Sequence, residues 1–108
     1  MDVQIIQVPY DSGHRSLRMG RGPAHLVEHG AGYSLVGPGR VVHVETVEAP
    51  GPFRTEIATS FALANALARR VRHAIAQSRF PIVLAGNCGT SLGTVAGLGD
   101  EPVAVIWL

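Results

Sequence analysis

The chain is 108 residues long, with 46% hydrophobic residues, 16% charged residues and a formal net charge of +1. This length corresponds to one domain at most, and the apolar content argues against disorder, because a chain this apolar can offset the entropy of ordering. The charge gives no reason to expect nucleic acid or an anionic membrane as a partner, and the longest apolar stretch, Val103–Leu108, is far shorter than the roughly 20 residues of a membrane-spanning helix.

The first half of the chain alternates short apolar runs with connections rich in glycine and proline. Val3–Val8 predicts a strand buried on both faces, since strands covered by helices on both sides show continuous apolar runs. The polar segment Tyr10–Arg21 predicts a long loop, which is typically functional or mobile. A helix is expected to begin at Gly22–Ala24 and to stop near Gly30. After a loose stretch, Val41–Val47 predicts a second strand.

A long helix is predicted in the second half, from about Thr55 to Ser78, where apolar residues recur every three or four positions. Its buried stripe is expected to consist of Ile57, Phe61, Ala64, Leu67 or Ala68, Val71 and Ile75. Pro81–Ala85 predicts a third strand, a short glycine-rich helix should end near Gly97, and Val103–Leu108 predicts a fourth strand. This alternation of strands and helices indicates an α/β protein with a mostly parallel sheet. The sheet is expected to be incomplete, because the chain stops inside an apolar run.

Two polar loops should lie at the carboxyl edge of this sheet, where open α/β folds bind ligands. They are Asp11–Arg21 and Gly86–Ser91. In the first loop, His14 is a candidate substrate contact. In the second, Cys88 and Asn87 are the only strong ligand or nucleophile types. A nucleophilic Cys88 is chemically reasonable at a strand-to-helix turn, because a helix N-terminus lowers the pKa of a thiol, but Cys88 also suits a crowded turn as a small buried residue.

Other sequence features narrow the class of protein. The chain has no lysine, which excludes a P-loop and a Schiff-base lysine within it. The spacing of Gly86, Gly89 and Gly93 matches the dinucleotide-binding fingerprint poorly. Cys88 is the only cysteine, so no disulfide framework is available and a reducing cytoplasm is the expected location.

Two segments of the chain resemble the arginase family, the ureohydrolases. The first is IIQVPYDSGHRSLRMGRGPAHLVEHG, which is similar to that family's opening strand, glycine-containing loop and Gly-Pro helix start. The second is FPIVLAGNCGTSLGTVAGLG followed by PVAVIWL. It resembles a strand that ends in Gly-Gly-Asp-His-Ser, a helix, and a strand that runs into Asp-Ala-His-x-Asp.

The resemblance implies a three-layer α/β/α, Rossmann-like fold with a parallel sheet. Residues 1–108 are then expected to form the N-terminal part of a single arginase-like domain, truncated at the C-terminus. It also implies a metal-dependent hydrolase with two manganese ions, acting on the linear amidine C–N bonds of small guanidino or formimino compounds. The full-length protein is expected to be a cytoplasmic homo-oligomer, a trimer or hexamer, and the chain alone is expected to be inactive.

The sequence departs from the family at its metal motif. Asn87 stands where the motif has Asp, and Cys88 stands where it has the ligand His. The resemblance therefore implies Cys88 as a metal ligand with Asn87 as its neighbour, and zinc or iron as alternatives to manganese, because thiolates favour softer metals. Asp11, His14 and Arg18 are the expected substrate-loop residues.

Two alternatives remain open at the sequence level. One is a cysteine-nucleophile hydrolase or amidotransferase that uses Cys88. The other is a catalytically degenerate, non-enzymatic paralogue that acts as a subunit or binding module.

Overall fold

The fold is organised around the apolar strand near the N-terminus, in a computed structural model that describes residues 1–108. This strand, β1 (Asp2–Val8), lies between β4 (Val42–Thr46) and β5 (Arg79–Ala85) in a parallel sheet of order β4-β1-β5. Ile5 and Ile6 are both fully buried. Because successive strand residues point to opposite faces, both faces of β1 are covered, and the predicted α/β fold with a parallel sheet is confirmed.

The helices divide between the two faces of the sheet. On one face lie α1 (Gly22–Glu28) and α2 (Ala31–Ser34), with Gly32 adjacent to the Ile5 side chain. On the other face, α3 (Glu56–Ala76) packs against β1, and α4 (Ser91–Gly97) packs on α3. The core under α3 consists of Ile6, Val8, Tyr10, Val47, Leu63, Leu67 and Val71. This is the three-layer α/β/α arrangement that the family resemblance implied.

The long helix forms where it was predicted but buries a different side. Thr55 caps α3, and its Oγ1 accepts a hydrogen bond from the Ala58 amide at 3.1 Å. The buried residues are Thr59, Leu63, Leu67, Val71 and Ala74. The predicted stripe was therefore wrong at Ile57, Phe61 and Ile75, which are exposed. Both sides of this helix carry apolar residues at helical spacing, so periodicity alone did not identify the side that meets β1.

The short helix α4 packs closely against the long helix α3. A Cβ at Gly97 would lie only 2.8 Å from a Val71 methyl group and 2.9 Å from the Ala68 carbonyl oxygen. The absence of a side chain at Gly97 therefore allows the two helices to approach closely. None of the helices is long and apolar enough to cross a lipid bilayer.

The predicted fourth strand is not formed. Residues 103–108 have no regular secondary structure and are exposed, with Ile106 at 85%. Trp107 reaches the groove beside β5, but no backbone ladder joins the two segments. The prediction was wrong because β-propensity reflects packing against neighbouring strands, and this segment has none.

The predicted loops also contain more structure than expected. Within Tyr10–Arg21, a hairpin pairs β2 (Tyr10–Asp11) with β3 (His14–Arg15), and a 3₁₀ helix covers Arg18–Arg21. The short helix α2 lies in the stretch that was predicted to be loose. These elements are too short to show a hydrophobic period, so turn chemistry was the only signal available.

Candidate functional site

The carboxyl edge of the sheet brings the loops after β1 and β5 together. Val8 and Ala85 are register partners at the ends of these two parallel strands. The loops that follow therefore leave the sheet at the same level. This places the two polar segments that were singled out in the sequence side by side, at the edge where open α/β sheets bind ligands.

A tight hairpin shapes the first of these loops. Ser12 and Gly13 form its two-residue turn with φ of 52° and 78°, the positive values that a type I′ turn requires. The turn reverses the chain immediately after Asp11, so that Asp11 and Ser12 face the loop after β5. The Ser12-Gly13 pair is the sequence signal that could have predicted this hairpin.

Gly86 allows the second loop to touch the first. A Cβ at Gly86 would overlap the Tyr10 carbonyl oxygen and would lie 2.8 Å from the Gly20 nitrogen. These are backbone atoms that cannot rotate away, so only glycine fits at this position. The contact holds Asn87 and Cys88 directly beside the hairpin. The sequence identified Gly86 only as the first residue of a polar loop, Gly86–Ser91.

Asp11 is the centre of the hydrogen-bond network between the loops. Its Oδ1 accepts from the Asn87 Nδ2 at 3.1 Å and from the Ser12 hydroxyl at 3.1 Å. Its Oδ2 accepts from the Arg18 Nε at 3.2 Å and from the Met19 amide at 3.3 Å. An ionised carboxylate has about four acceptor positions, so the protein itself occupies them all. Asp11 is also buried, with 8% of its surface exposed.

These hydrogen bonds favour the ionised form of Asp11. They lower the pKa of its carboxyl below the ordinary value, and the Asn87 amide makes the largest contribution, partly opposed by burial. Arg18 adds the only positive charge in contact with this carboxylate. Asp11 is therefore a fixed negative charge at the carboxyl edge of the sheet.

Asn87 links the two loops through both ends of its carboxamide. Its Oδ1 accepts from the Ser12 backbone amide at 2.9 Å, and its Nδ2 donates to Asp11. Asn87 also precedes the 3₁₀ helix Cys88–Thr90, and its backbone carbonyl accepts from the Thr90 amide at 3.3 Å. The start of this helix, and so the backbone position of Cys88, depends on Asn87.

Cys88 is an exposed free thiol. The interpretation of Cys88 as a small buried packing residue was therefore wrong. It lines a cavity of about 260 Å³ between the hairpin, the start of α3 and the loop after β5. Ser12, Glu56 and Ser60 contribute polar groups to the same cavity. No sequence motif pointed to Glu56 or Ser60, because they precede Cys88 by about 30 residues and meet it only through the fold.

His14 lies on the other side of the hairpin. Its ring stacks on Phe53, with ring centroids 4.4 Å apart, and it lines a separate cavity of about 410 Å³ that Cys88 does not line. Beside it, Glu48 accepts hydrogen bonds from Arg15 Nε at 2.8 Å and Nη2 at 2.7 Å. The predicted substrate residues are thus divided: Asp11 and Arg18 join Asn87, whereas His14 does not.

This edge of the sheet offers a single accessible soft donor rather than a complete metal site. Among residues 1–108, no three His, Cys, Asp or Glu side chains gather as a ligand set. Cys88 is accessible and offers one donor at the carboxyl edge, and its sulfur suits zinc or iron better than manganese. Asp11 has no acceptor position left for a metal ion.

A comparison of the chain with models of known protein families identifies the family to which it belongs. The family model described as the arginase family matches residues 1–108, the whole chain. The chain belongs to the arginase family. No curated protein matches the chain.

Two solved structures show that this arginase-family chain also shares the fold of bacterial arginases. It is similar to the crystal structure of an arginase from Bacillus cereus, with a TM-score of 0.72, 25% identity and 91% of this chain covered. It is likewise similar to an arginase from Bacillus subtilis, with a TM-score of 0.67, 24% identity and 90% coverage. The matches cover 35% and 33% of those two chains, so this chain spans about a third of their length.

Proposed function

We propose that the protein carrying this chain is a metal-dependent hydrolase acting on the linear amidine C–N bond of a small guanidino or formimino compound. The observation that carries the proposal is the match of the arginase family over residues 1–108, and the family is consistent with a ureohydrolase. Residues 1–108 are further proposed to form the N-terminal part of a single arginase-like domain, and the coverage of about a third of two arginase chains supports their being part of a larger domain.

Within this proposal, Cys88 is the one metal donor of the chain. Its thiol is accessible beside the hairpin, and the sequence resemblance aligns it with the histidine ligand of the family motif. The family generally uses manganese, but a thiolate donor favours zinc or iron. Such an ion, when bound, polarises water and stabilises the charge that develops on the amidine group. The remaining ligands would have to come from outside residues 1–108.

The other polar residues would act on the substrate side. Arg18, which is largely exposed, and His14, which stacks on Phe53, are proposed to contact substrate from the loop after β1. Assembly as a trimer or hexamer and a cytoplasmic location are also proposed, the second from the single unpaired cysteine.

Metal analysis and turnover of the full-length protein test this function. We expect a bound transition metal, release of urea, ammonia or formamide from a panel of guanidino and formimino compounds, and loss of turnover on chelation. Cys88→Ser should remove most of the bound metal, whereas Cys88→His should retain metal and shift the preference toward manganese. A full-length protein without bound metal, and with metal-independent turnover, would refute the proposal.

The exposure of Cys88 favours one competing function, a cysteine-nucleophile hydrolase or amidotransferase. In that case iodoacetamide would inactivate the enzyme irrespective of metal, and Cys88→His would abolish turnover. A complete lack of turnover in metal-loaded protein with retained assembly would instead indicate a degenerate, non-enzymatic paralogue. Metal content, turnover with chelator or iodoacetamide, the Cys88 variants and the assembly state together separate all three functions.

A further inference from the structure

We propose that Asp11 is a positioning residue that acts on Cys88 through Asn87, and that positions 11 and 87 form an exchangeable carboxylate–carboxamide pair. The metal part of this inference rests on the proposed function, which takes Cys88 as a ligand. The positioning part rests on the hydrogen bonds between the two loops and applies to the Cys88 thiol with or without a metal ion.

The contacts of Asp11 indicate that it positions other residues and does not itself contact a ligand. All four hydrogen bonds to its carboxylate come from the protein, and the residue is buried. Cys88, by contrast, is exposed on the cavity beside the hairpin. A ligand that enters this cavity meets the thiol, whereas Asp11 has no lone pair to offer it.

The two hydrogen bonds of the Asn87 side chain require an amide group at position 87. The Ser12 backbone amide needs an acceptor, which fixes the Asn87 oxygen on that side. The Asn87 nitrogen then faces the Asp11 carboxylate at 3.1 Å and donates to it. A carboxylate at position 87 would keep the bond to Ser12, but it would replace the donor by a second negative charge at the same distance.

Asn87 passes this constraint to Cys88 through the backbone. Asn87 precedes the 3₁₀ helix that begins at Cys88, and its carbonyl bonds to Thr90. No side-chain hydrogen bond holds Cys88 itself. The orientation of the thiol is therefore set by the Asn87 anchor, which Asp11 and Ser12 hold from the opposite loop.

Exchanging the two side chains provides the test. In the full-length protein, Asp11→Asn places two amide groups face to face, and Asn87→Asp places two carboxylates face to face. The double variant D11N/N87D restores one donor opposite one acceptor. The amide nitrogen introduced at position 11 can then donate to the carboxylate introduced at position 87, and the amide oxygen at position 11 can accept from Arg18 and Met19.

Two readouts on these variants report on the position of the thiol. One is the affinity for Co²⁺, followed by the thiolate-to-cobalt charge-transfer absorption, and the other is the rate at which Cys88 reacts with a disulfide reagent. We expect each single variant to weaken Co²⁺ binding about 10- to 100-fold, as loss of a residue that orients a ligand typically does. Each should also change the thiol reaction rate, and the double variant should recover most of both.

Glu48→Gln is the matched control, because it removes charge-assisted hydrogen bonds on the other side of the same hairpin. It should lower thermal stability while leaving both readouts close to those of the wild type. Additive losses in the double variant, or an equal loss in Glu48→Gln, would overturn the proposal. If wild-type protein shows no thiolate–cobalt absorption, the metal function fails, and the thiol reaction rates alone decide whether Asp11 positions Cys88.

Discussion

At the scale of single residues, the acidic side chains of the hairpin region are held by defined partners. Asp11 is held by the Asn87 amide and its neighbours, and Glu48 by the Arg15 guanidinium. Both contacts favour the charged carboxylate, so the pKa of each carboxyl lies below its ordinary value. The pKa of Arg15 is raised in turn, mainly by Glu48. Ionisation and folding are therefore coupled in this region.

The sign of this coupling predicts acid sensitivity. Because these pKa values are lower in the folded than in the unfolded chain, the folded state binds fewer protons, and the stabilisation is complete above the ordinary values of 3.8 and 4.5. It is lost as the pH falls through the lowered pKa values. Asp11→Asn should therefore be less stable than the wild type at neutral pH, and the difference should shrink below pH 3.8.

Urea unfolding of the wild type and of Asp11→Asn across this pH range measures the difference. Asp100→Asn is the control, since Asp100 is exposed and its side chain forms no hydrogen bond. Its profile should follow that of the wild type. A stability difference for Asp11→Asn that is independent of pH would contradict the role given to ionised Asp11.

At the scale of elements, the sequence predicted the three parallel strands and the long helix but not how they meet. β1, β4 and β5 form close to where apolar runs indicated strands, and only the central strand β1 is buried on both faces. The side of α3 that packs on the sheet depends on contacts distant in sequence. The same is true of the candidate site: Cys88 and Asp11 were recognisable residue types, but the bond between Asn87 and Asp11 joins positions 76 residues apart.

The packing of α3 gives a stability prediction. Leu67 is fully buried against β1, whereas Ile57, which the periodicity also favoured, is 71% exposed. Leu67→Ala should cost about 2–5 kcal/mol, through lost burial and the cavity that remains. Ile57→Ala should cost no more than about 0.5 kcal/mol. Urea unfolding of the 108-residue chain at low micromolar concentration compares them, and equal costs would show that the helix buries its other side.

At the scale of the whole molecule, the outer edge of β5 is unpaired and has exposed apolar residues near it. This strand pairs only with β1, so its other edge presents unpaired backbone groups. Phe80 on the strand and Val105, Ile106 and Trp107 beyond α4 are each at least half exposed. An unpaired edge with apolar neighbours is a template for association between copies of a chain.

A charge on this edge should suppress that association. The 108-residue chain is expected to self-associate as its concentration rises, and Phe80→Lys should shift the onset to higher concentration, because edge lysines oppose strand pairing. Val36→Lys is the matched control, since Val36 is 58% exposed and Phe80 57%, but Val36 lies in no strand. Light scattering compares the three proteins. An equal effect of both lysines would indicate general solubility rather than the edge of β5.

The backbone contact at Gly86 has a consequence for protein engineering. Since the loop after β5 rests directly on the main chain of Tyr10 and Gly20, its shape is not a property of its own residues alone. A graft of residues 86–91 onto another parallel sheet would lose the surface that supports it. The two loops form one transferable unit, and a transplant that keeps the conformation must carry residues 9–21 as well.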